Sequence, residues 1–282
     1  MAIQTVGIIG AGTMGNGIAQ ACAVSGIDVV MVDISEAAVQ KGLATVAGSL
    51  DRLIKKEKIT AADKDAALAR IKTSTRYEDL QGAQLVIEAA TENYDLKVKI
   101  LKQLDEMLPP EVLIASNTSS ISITKLGAAT QRADKFIGMH FFNPVPMMKL
   151  VEIIRGLQTS DATHDAVKAL AVALDKSPIT VKNAPGFVVN RVLVPMINEA
   201  FQVLSEGTAT AEDIDEGMKL GCNHPIGPLA LADMIGLDVC LAVMEVYLEE
   251  FGDSKYRPCY LLREMVAAGR LGRKTGQGVY TY

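Results

Sequence analysis

The feature that most constrains the fold is a glycine-rich turn between a short apolar strand and a helix near the start of the chain. The turn has the spacing Gly10-x-Gly12-x-x-Gly15, and a second apolar stretch at residues 27–32 leads to the carboxylate of Asp33. The first glycine permits a tight turn, the second leaves the backbone open to a pyrophosphate, and the third lets the helix pack closely on the strand. The helix N-terminus suits the phosphates, and Asp33 suits the ribose hydroxyls. The pattern predicts a dinucleotide-binding βαβ unit, with a plain βαβ turn as the alternative.

Strand patterns alternate with helical ones as far as the break around Pro185-Gly186, and none follows it. Continuous apolar runs at residues 85–87 and 112–115 are typical of parallel strands covered on both faces. Proline and glycine together interrupt both periodicities, so this break is the expected boundary. We therefore expect an α/β protein, with a Rossmann-like NAD-binding domain over residues 1–183 and an all-α domain for substrate binding and dimerisation over residues 184–282.

The periodicity also predicts the individual elements. Strands are expected from about residue 3 and at residues 27–32, 71–74, 85–89, 112–116, 136–140, 150–154 and 179–181. Two helices, capped by Ser35 and Thr60, form a hairpin inserted in the first domain. The second domain is expected to hold helices at residues 187–204, 211–220, 229–251 and 261–268. A unit of about a hundred residues cannot easily bury helices this apolar alone, so we expect a two-fold homodimer.

Composition excludes several classes of function. The 282 residues carry a formal net charge of -5, which leaves no general basic surface for nucleic acid. No apolar run approaches the roughly 18 residues of a membrane span, and the first strand begins too early for a presequence. The cysteines show no C-x-x-C spacing, and they are Cys22, Cys222, Cys240 and Cys259. We expect a reduced, cytoplasmic protein without a metal site, a nucleic-acid partner or a membrane segment.

The three histidines differ in their surroundings. His164 falls on a polar helical turn and is expected to be solvated, and His224 is expected to have a structural role in a loop. His140 closes an apolar strand at the carboxyl end, which is where open α/β sheets bind ligands. Glu152 is the one charge inside an apolar strand and needs a partner. An imidazole and a surface lysine or arginine fit that carboxylate equally well.

Two polar clusters have both a functional and a structural interpretation. Asn117-Thr118-Ser119-Ser120 brings amides and hydroxyls to the same sheet edge, and it also resembles a helix N-cap. Lys55, Lys56 and Lys58 crowd a helix end, where cations are favoured and phosphates are attracted. A simply solvated run of lysines is the alternative for the second cluster.

The motifs together resemble the L-3-hydroxyacyl-CoA dehydrogenase family, most closely its short, single-function bacterial members. The segments that carry the resemblance are GAGTMG at residues 10–15, NTSS at 117–120, HFFNP at 140–144, PGFVVNR at 185–191 and GPL at 227–229. They cover essentially the whole chain in the right order, and the HFFNP and PGFVVNR pair is far more specific than the glycine turn. The resemblance implies NAD-dependent interconversion of (S)-3-hydroxyacyl-CoA and 3-oxoacyl-CoA, with 3-hydroxybutyryl-CoA and acetoacetyl-CoA as the expected pair.

The resemblance also implies roles for individual residues. His140 would be the catalytic base and Glu152 its orienting carboxylate, while Ser119 and Asn190 would hold the substrate near that base. The implied cofactor contacts are Gly10, Gly12, Gly15, Asp33, Glu92, Lys97, Asn117, Ser119, Asn143 and Lys274. Ser49 and Lys56 would contact coenzyme A.

Two alternatives stand beside this interpretation. A non-catalytic dinucleotide-binding or structural protein on the same scaffold is the first, and the intact His140, Glu152, Ser119 and Asn190 argue against it. A 3-hydroxyacid dehydrogenase of the hydroxyisobutyrate type is the second. It would want a lysine base early in the helix at residues 187–204, and the sequence has none there.

Overall fold

The structure, a computed structural model, describes residues 3–282, and the chain divides between Ala184 and Pro185 into two compact units. The first unit holds an eight-stranded sheet with the strand order β3-β2-β1-β4-β5-β6-β7-β8. The strands are β1 (Thr5–Ile9), β2 (Asp28–Val32), β3 (Ile71–Ser74), β4 (Leu85–Glu88), β5 (Leu113–Ser116), β6 (Phe136–Phe141), β7 (Leu150–Arg155) and β8 (Ser177–Lys182).

The strand order places a topological switch point between β1 and β4. Strands β1 to β6 are mutually parallel, and the chain leaves β1 in one direction toward β2 and β3 and in the other toward β4 and β5. Ligands bind at the carboxyl ends of strands at such a point. Strand β7 instead pairs with β6 in the antiparallel sense, and β8 is parallel to β7. The α/β fold with a Rossmann-like first domain is confirmed.

Six helices cover the sheet of the first unit, and two of them begin at the predicted caps, Ser35 and Thr60. They are α1 (Thr13–Val24), α2 (Glu36–Lys55), α3 (Ala61–Ala69), α4 (Tyr94–Met107), α5 (Ile123–Gly127) and α6 (Asp161–Ala173). The Ser35 side chain accepts from Ala38 N at the start of α2, and Thr60 and Asp63 form a capping box at the start of α3. Helices α2 and α3 are the inserted hairpin. Buried side chains such as Ile8 and Ile18 pack these helices against the sheet.

The second unit is built mainly from helices. Its helices are α7 (Val189–Ser205), α8 (Ala211–Cys222), α9 (Pro228–Ile235), α10 (Leu237–Phe251) and α11 (Tyr260–Ala267). The prediction of one helix over residues 229–251 is wrong, because the chain breaks at Gly236, which adopts φ 110°. That conformation is open to glycine and not to a helix. A core around Phe201, Leu229, Leu237 and Leu262 joins these helices.

Buried polar groups correct one further expectation. His164 is buried rather than solvated, with Nδ1 2.8 Å from Asp165 Oδ1 and Nε2 2.9 Å from Thr180 Oγ1. Cys22 and Cys240 are buried as expected, and burial raises the pKa of each thiol to about 12. Their role is therefore packing. Across residues 3–282, no helix combines the length and the apolar character that a bilayer crossing requires.

Candidate active site

The glycine turn after β1 has the close approaches that its sequence predicts. Gly10 has φ +100°, a conformation that favours glycine. A Cβ at Gly15 would lie 1.7 Å from the Gly10 carbonyl oxygen, so any side chain there would force α1 away from the strand. A Cβ at Gly12 would meet nothing within 4 Å. The backbone at Gly12 therefore faces open space at the N-terminus of α1, as a bound pyrophosphate requires.

A cavity of about 850 Å³ lies at this turn and at the end of β2. Its lining includes Gly10, Gly12, Asp33 and the segment 89–91 that follows β4. Asp33 is fixed in place because Oδ2 accepts from Ala11 N at 2.6 Å and Oδ1 from Ile34 N at 2.7 Å. Each oxygen keeps a lone pair for a ribose hydroxyl. The residues present thus fit NAD at the switch point of the sheet.

His140 and Glu152 form a buried pair at the carboxyl edge of the sheet. The antiparallel register of β6 and β7 places the two residues directly opposite each other. His140 Nδ1 lies 2.7 Å from Glu152 Oε2, with His140 6% and Glu152 0% exposed. The partner of the Glu152 carboxylate is therefore an imidazole, and the Phe142 ring packs 4.5 Å from the imidazole centroid. The carboxylate fixes which ring nitrogen of His140 carries its proton.

Three residues of the polar cluster after β5, Thr118, Ser119 and Ser120, converge on Glu92 rather than capping a helix. Glu92 Oε1 accepts from Thr118 Oγ1 at 2.6 Å, from Ser119 N at 2.9 Å and from Ser120 N at 3.1 Å. The cap of α5 is instead Ser122, whose side chain accepts from Lys125 N. Burial raises the pKa of Glu92, but the hydrogen bond from Thr118 and the charge of Lys97 outweigh it and hold this pKa below its ordinary value. The charged Glu92 carboxylate thus holds the loop that carries Ser119 through these hydrogen bonds.

A second buried network, which the sequence did not reveal, lies behind that loop. Lys97 and Glu88 are 1% and 0% exposed, and Lys97 Nζ lies 2.7 and 2.9 Å from the two carboxylate oxygens of Glu88. Ser116 Oγ donates to Glu88 Oε2 at 2.6 Å, and Lys97 Nζ lies 3.5 Å from Glu92 Oε2. Lys97 therefore directs its charge into the protein, and its direct contact with the cofactor stays a prediction. A signal was available in the sequence, since Glu88 is an acid at the end of an apolar strand.

The other candidate residues have less direct geometry. Asn117 Oδ1 accepts from Phe141 N at 2.9 Å and ties the end of β5 to β6, while Asn143 lies in the turn that follows β6. Ser49 lies on α2 and Lys56 directly follows its last residue, seven positions later, so both belong to one helix face. Their contacts with ligands stay predictions.

Two candidates belong to the second unit. Asn190 lies in the first turn of α7. Lys274 Nζ forms an ion pair with both carboxylate oxygens of Asp238, at 2.5 and 2.7 Å. Among residues 3–282, no three His, Cys, Asp or Glu side chains are grouped as ligands of a metal ion.

The glycine turn, the acid at the end of β2 and the large cavity at the switch point define a Rossmann-type, NAD-dependent dehydrogenase. Comparison with known proteins extends this assignment. The profile of the 3-hydroxyacyl-CoA dehydrogenase NAD-binding domain matches residues 5–184, and that of the C-terminal domain of the same family matches residues 186–282.

Individual relatives match along their whole length. A 3-hydroxybutyryl-CoA dehydrogenase of Bradyrhizobium diazoefficiens is 52% identical over 280 residues, which is 99% of this chain and 96% of the relative. One of Clostridioides difficile is 50% identical over 275 residues, 98% of each chain. The crystal structure of (S)-3-hydroxybutyryl-CoA dehydrogenase PaaH1 from Ralstonia eutropha superposes with a TM-score of 0.99 at 76% identity, over 100% of this chain and 99% of that one. The chain belongs to the 3-hydroxyacyl-CoA dehydrogenase family, which confirms the resemblance read from its motifs.

Proposed function

We propose that this protein interconverts (S)-3-hydroxybutyryl-CoA and acetoacetyl-CoA, with His140 and Glu152 as the proton-transfer pair. The observation that carries the proposal is the 2.7 Å contact between His140 Nδ1 and Glu152 Oε2 at the ligand edge of the sheet. The substrate is supported by the names of full-length relatives at 50–52% identity.

The chemistry assigns one task to each group. A C3 hydroxyl is too weak an acid to lose its proton to water, so a base must stand within hydrogen-bond reach of it. In the oxidative direction His140 takes this proton, and in the reductive direction it returns the proton to the C3 oxygen. Glu152 accepts the hydrogen bond from Nδ1 and stabilises the imidazolium. When bound, NAD supplies the hydride chemistry.

Other residues hold the substrate and cofactor in this proposal. Ser119 and Asn190 position the acyl group near the base. Asn143 contributes to the nicotinamide side of the site, and Asn117 and Lys274 contact the cofactor. Ser49 and Lys56 contact coenzyme A. The C-terminus of α2 favours the positive charge of Lys56, and that charge attracts a phosphate.

We also propose a homodimer that forms through the second unit and acts in the cytoplasm. Several large apolar side chains of this unit are exposed, including Val192 at 67% and Leu220 at 77%. A two-fold interface is the commonest way to bury such a surface. The unpaired, exposed Cys222 fits a reducing compartment. Light scattering at micromolar concentration should give twice the chain mass, and the mass of one chain would contradict the dimer.

The experiment that tests the activity is reduction of acetoacetyl-CoA by NADH, followed through the loss of NADH absorbance. The parent and a His224→Ala variant should both turn over, because His224 lies in a loop outside the proposed pair. His140→Ala should turn over far more slowly than both. A folded parent that binds NADH without turning over substrate would instead support the non-catalytic alternative.

A further inference from the structure

The cofactor cavity contains an arginine that comes from the strand next to Asp33. Strands β2 and β3 are neighbours whose last paired residues are Val32 and Ser74. Asp33 N donates to Ser74 O at 3.3 Å, and Arg76 follows two residues later. Neighbouring strands lie about 4.8 Å apart, so the backbone of Arg76 lies within roughly 10 Å of Asp33. Both residues line the cavity of about 850 Å³.

The guanidinium of Arg76 takes part in a small surface network. Arg76 Nη2 lies 2.7 Å from Asp79 Oδ1, and Ser74 Oγ donates to the second carboxylate oxygen of Asp79. Arg76 N donates to Ser74 Oγ at 3.0 Å. The Arg76 side chain is 69% exposed, and exposed ion pairs of this kind are weak. Since a guanidinium has five donors, the contact with Asp79 leaves most of them available to a ligand.

The charged residues around this part of the cavity have opposite effects on a bound 2′-phosphate. A 2′-phosphate on the adenosine ribose would meet the Asp33 carboxylate, and Glu78 also lines the cavity. Like charges in close contact exclude such a ligand. Arg76 has the opposite preference, since its planar fork binds phosphate with two parallel hydrogen bonds. Residues 34–36, immediately after Asp33, contain no arginine, so only the pairing of β2 with β3 brings this cation into the cavity.

We propose that Arg76 is a second determinant of cofactor choice, a 2′-phosphate receptor that Asp33 and Asp79 keep inactive. Asp33 selects NAD by repelling the 2′-phosphate, and the negative charge of Asp79 partly offsets the attraction of the Arg76 guanidinium for that phosphate. When the Asp33 charge is removed, the same cavity should bind NADP more tightly, because Arg76 then attracts the 2′-phosphate. The inference extends the use of NAD by this family and does not depend on the acyl-CoA substrate proposed above.

The test is calorimetric binding of adenosine 2′,5′-bisphosphate and of 5′-AMP to the intact protein. Asp33→Ser should bind the bisphosphate at least tenfold more tightly than the parent does. Adding Arg76→Met should remove at least fivefold of that affinity and change 5′-AMP binding far less. Adding Arg70→Met instead should change nothing. Arg70 is a matched control, because its exposed ion pair with Asp28 lies at the opposite end of the same two strands.

Two further variants keep the test decisive if Asp33→Ser folds poorly after losing its contacts with Ala11 N and Ile34 N. Asp33→Asn keeps the shape and one acceptor oxygen, and it should show the same dependence on Arg76. Asp79→Asn in the parent background should raise bisphosphate affinity severalfold by releasing the guanidinium. Equal bisphosphate affinity with and without Arg76 in an Asp33 variant would overturn the proposal. Because neither probe involves acyl-CoA, this result is independent of turnover with acetoacetyl-CoA.

Discussion

Replacing Glu152 by glutamine keeps the shape of the side chain and removes the negative charge beside His140. The two groups are 2.7 Å apart and buried, so water cannot replace the lost charge. A hydrogen bond to a charged group contributes about 1.5–3 kcal/mol. In the proposed mechanism this contribution is needed when the imidazole holds the proton from the C3 hydroxyl. Its loss in the transition state corresponds to a decrease in kcat of roughly 10- to 150-fold.

The assay is steady-state turnover of acetoacetyl-CoA with NADH, together with oxidation of 3-hydroxybutyryl-CoA across a pH series. Glu152→Gln should lower kcat while its affinity for NADH stays within about twofold of the parent. Without the carboxylate the imidazolium loses the charge that stabilises it, so kcat for the oxidation should fall as well. Glu106→Gln, on the exposed face of α4, is the control for the chemical change itself and should match the parent.

Comparison with His140→Ala separates the two parts of the mechanism. That variant should lose roughly 10²- to 10⁴-fold in kcat, the usual contribution of general acid–base catalysis. If Glu152→Gln turned over at the parent rate while His140→Ala did not, His140 would remain the base, and its pairing with Glu152 would be refuted. Near-parental turnover by His140→Ala would refute the mechanism as a whole.

Three further predictions concern stability and reactivity. Lys97→Met leaves the Glu88 carboxylate buried without its cation, so urea titration should show that the protein is about 3–5 kcal/mol less stable. Adding Glu88→Gln should recover part of the lost stability. An unchanged urea midpoint in Lys97→Met would contradict this prediction. Because the pKa of Glu92 is lowered, its charge stabilises the fold above the ordinary value of 4.5, and the contribution is lost as the pH falls through the folded pKa. The stability difference between the parent and Glu92→Gln should therefore shrink below pH 4.5, and a constant difference would exclude this role. In the native state a maleimide should label Cys222 well before Cys22, whose pKa burial raises to about 12; mass spectrometry of peptides would reveal the opposite order.

Features encoded within a few residues were predictable from the sequence alone. The glycine turn, the Thr60 capping box and the Asp33 carboxylate at the end of β2 each depend on residues close together in the chain, and the structure contains each of them. Strand and helix periodicities likewise predicted the parallel strands of the sheet and the helical second domain. Glycine conformation, capping and the periodicity of apolar residues are local properties, so they do not depend on knowing the rest of the fold.

Other features were decided by tertiary structure. The sequence left the partner of Glu152 open, and only the antiparallel pairing of β7 with β6 brings His140 opposite it. The contact of Lys97 with Glu88 and the burial of His164 also went unpredicted, because each depends on which elements pack together. Spacing along the chain determines which face of an element a side chain occupies. The neighbour that it meets there depends on strand order and register, which are set by the packing of the whole domain.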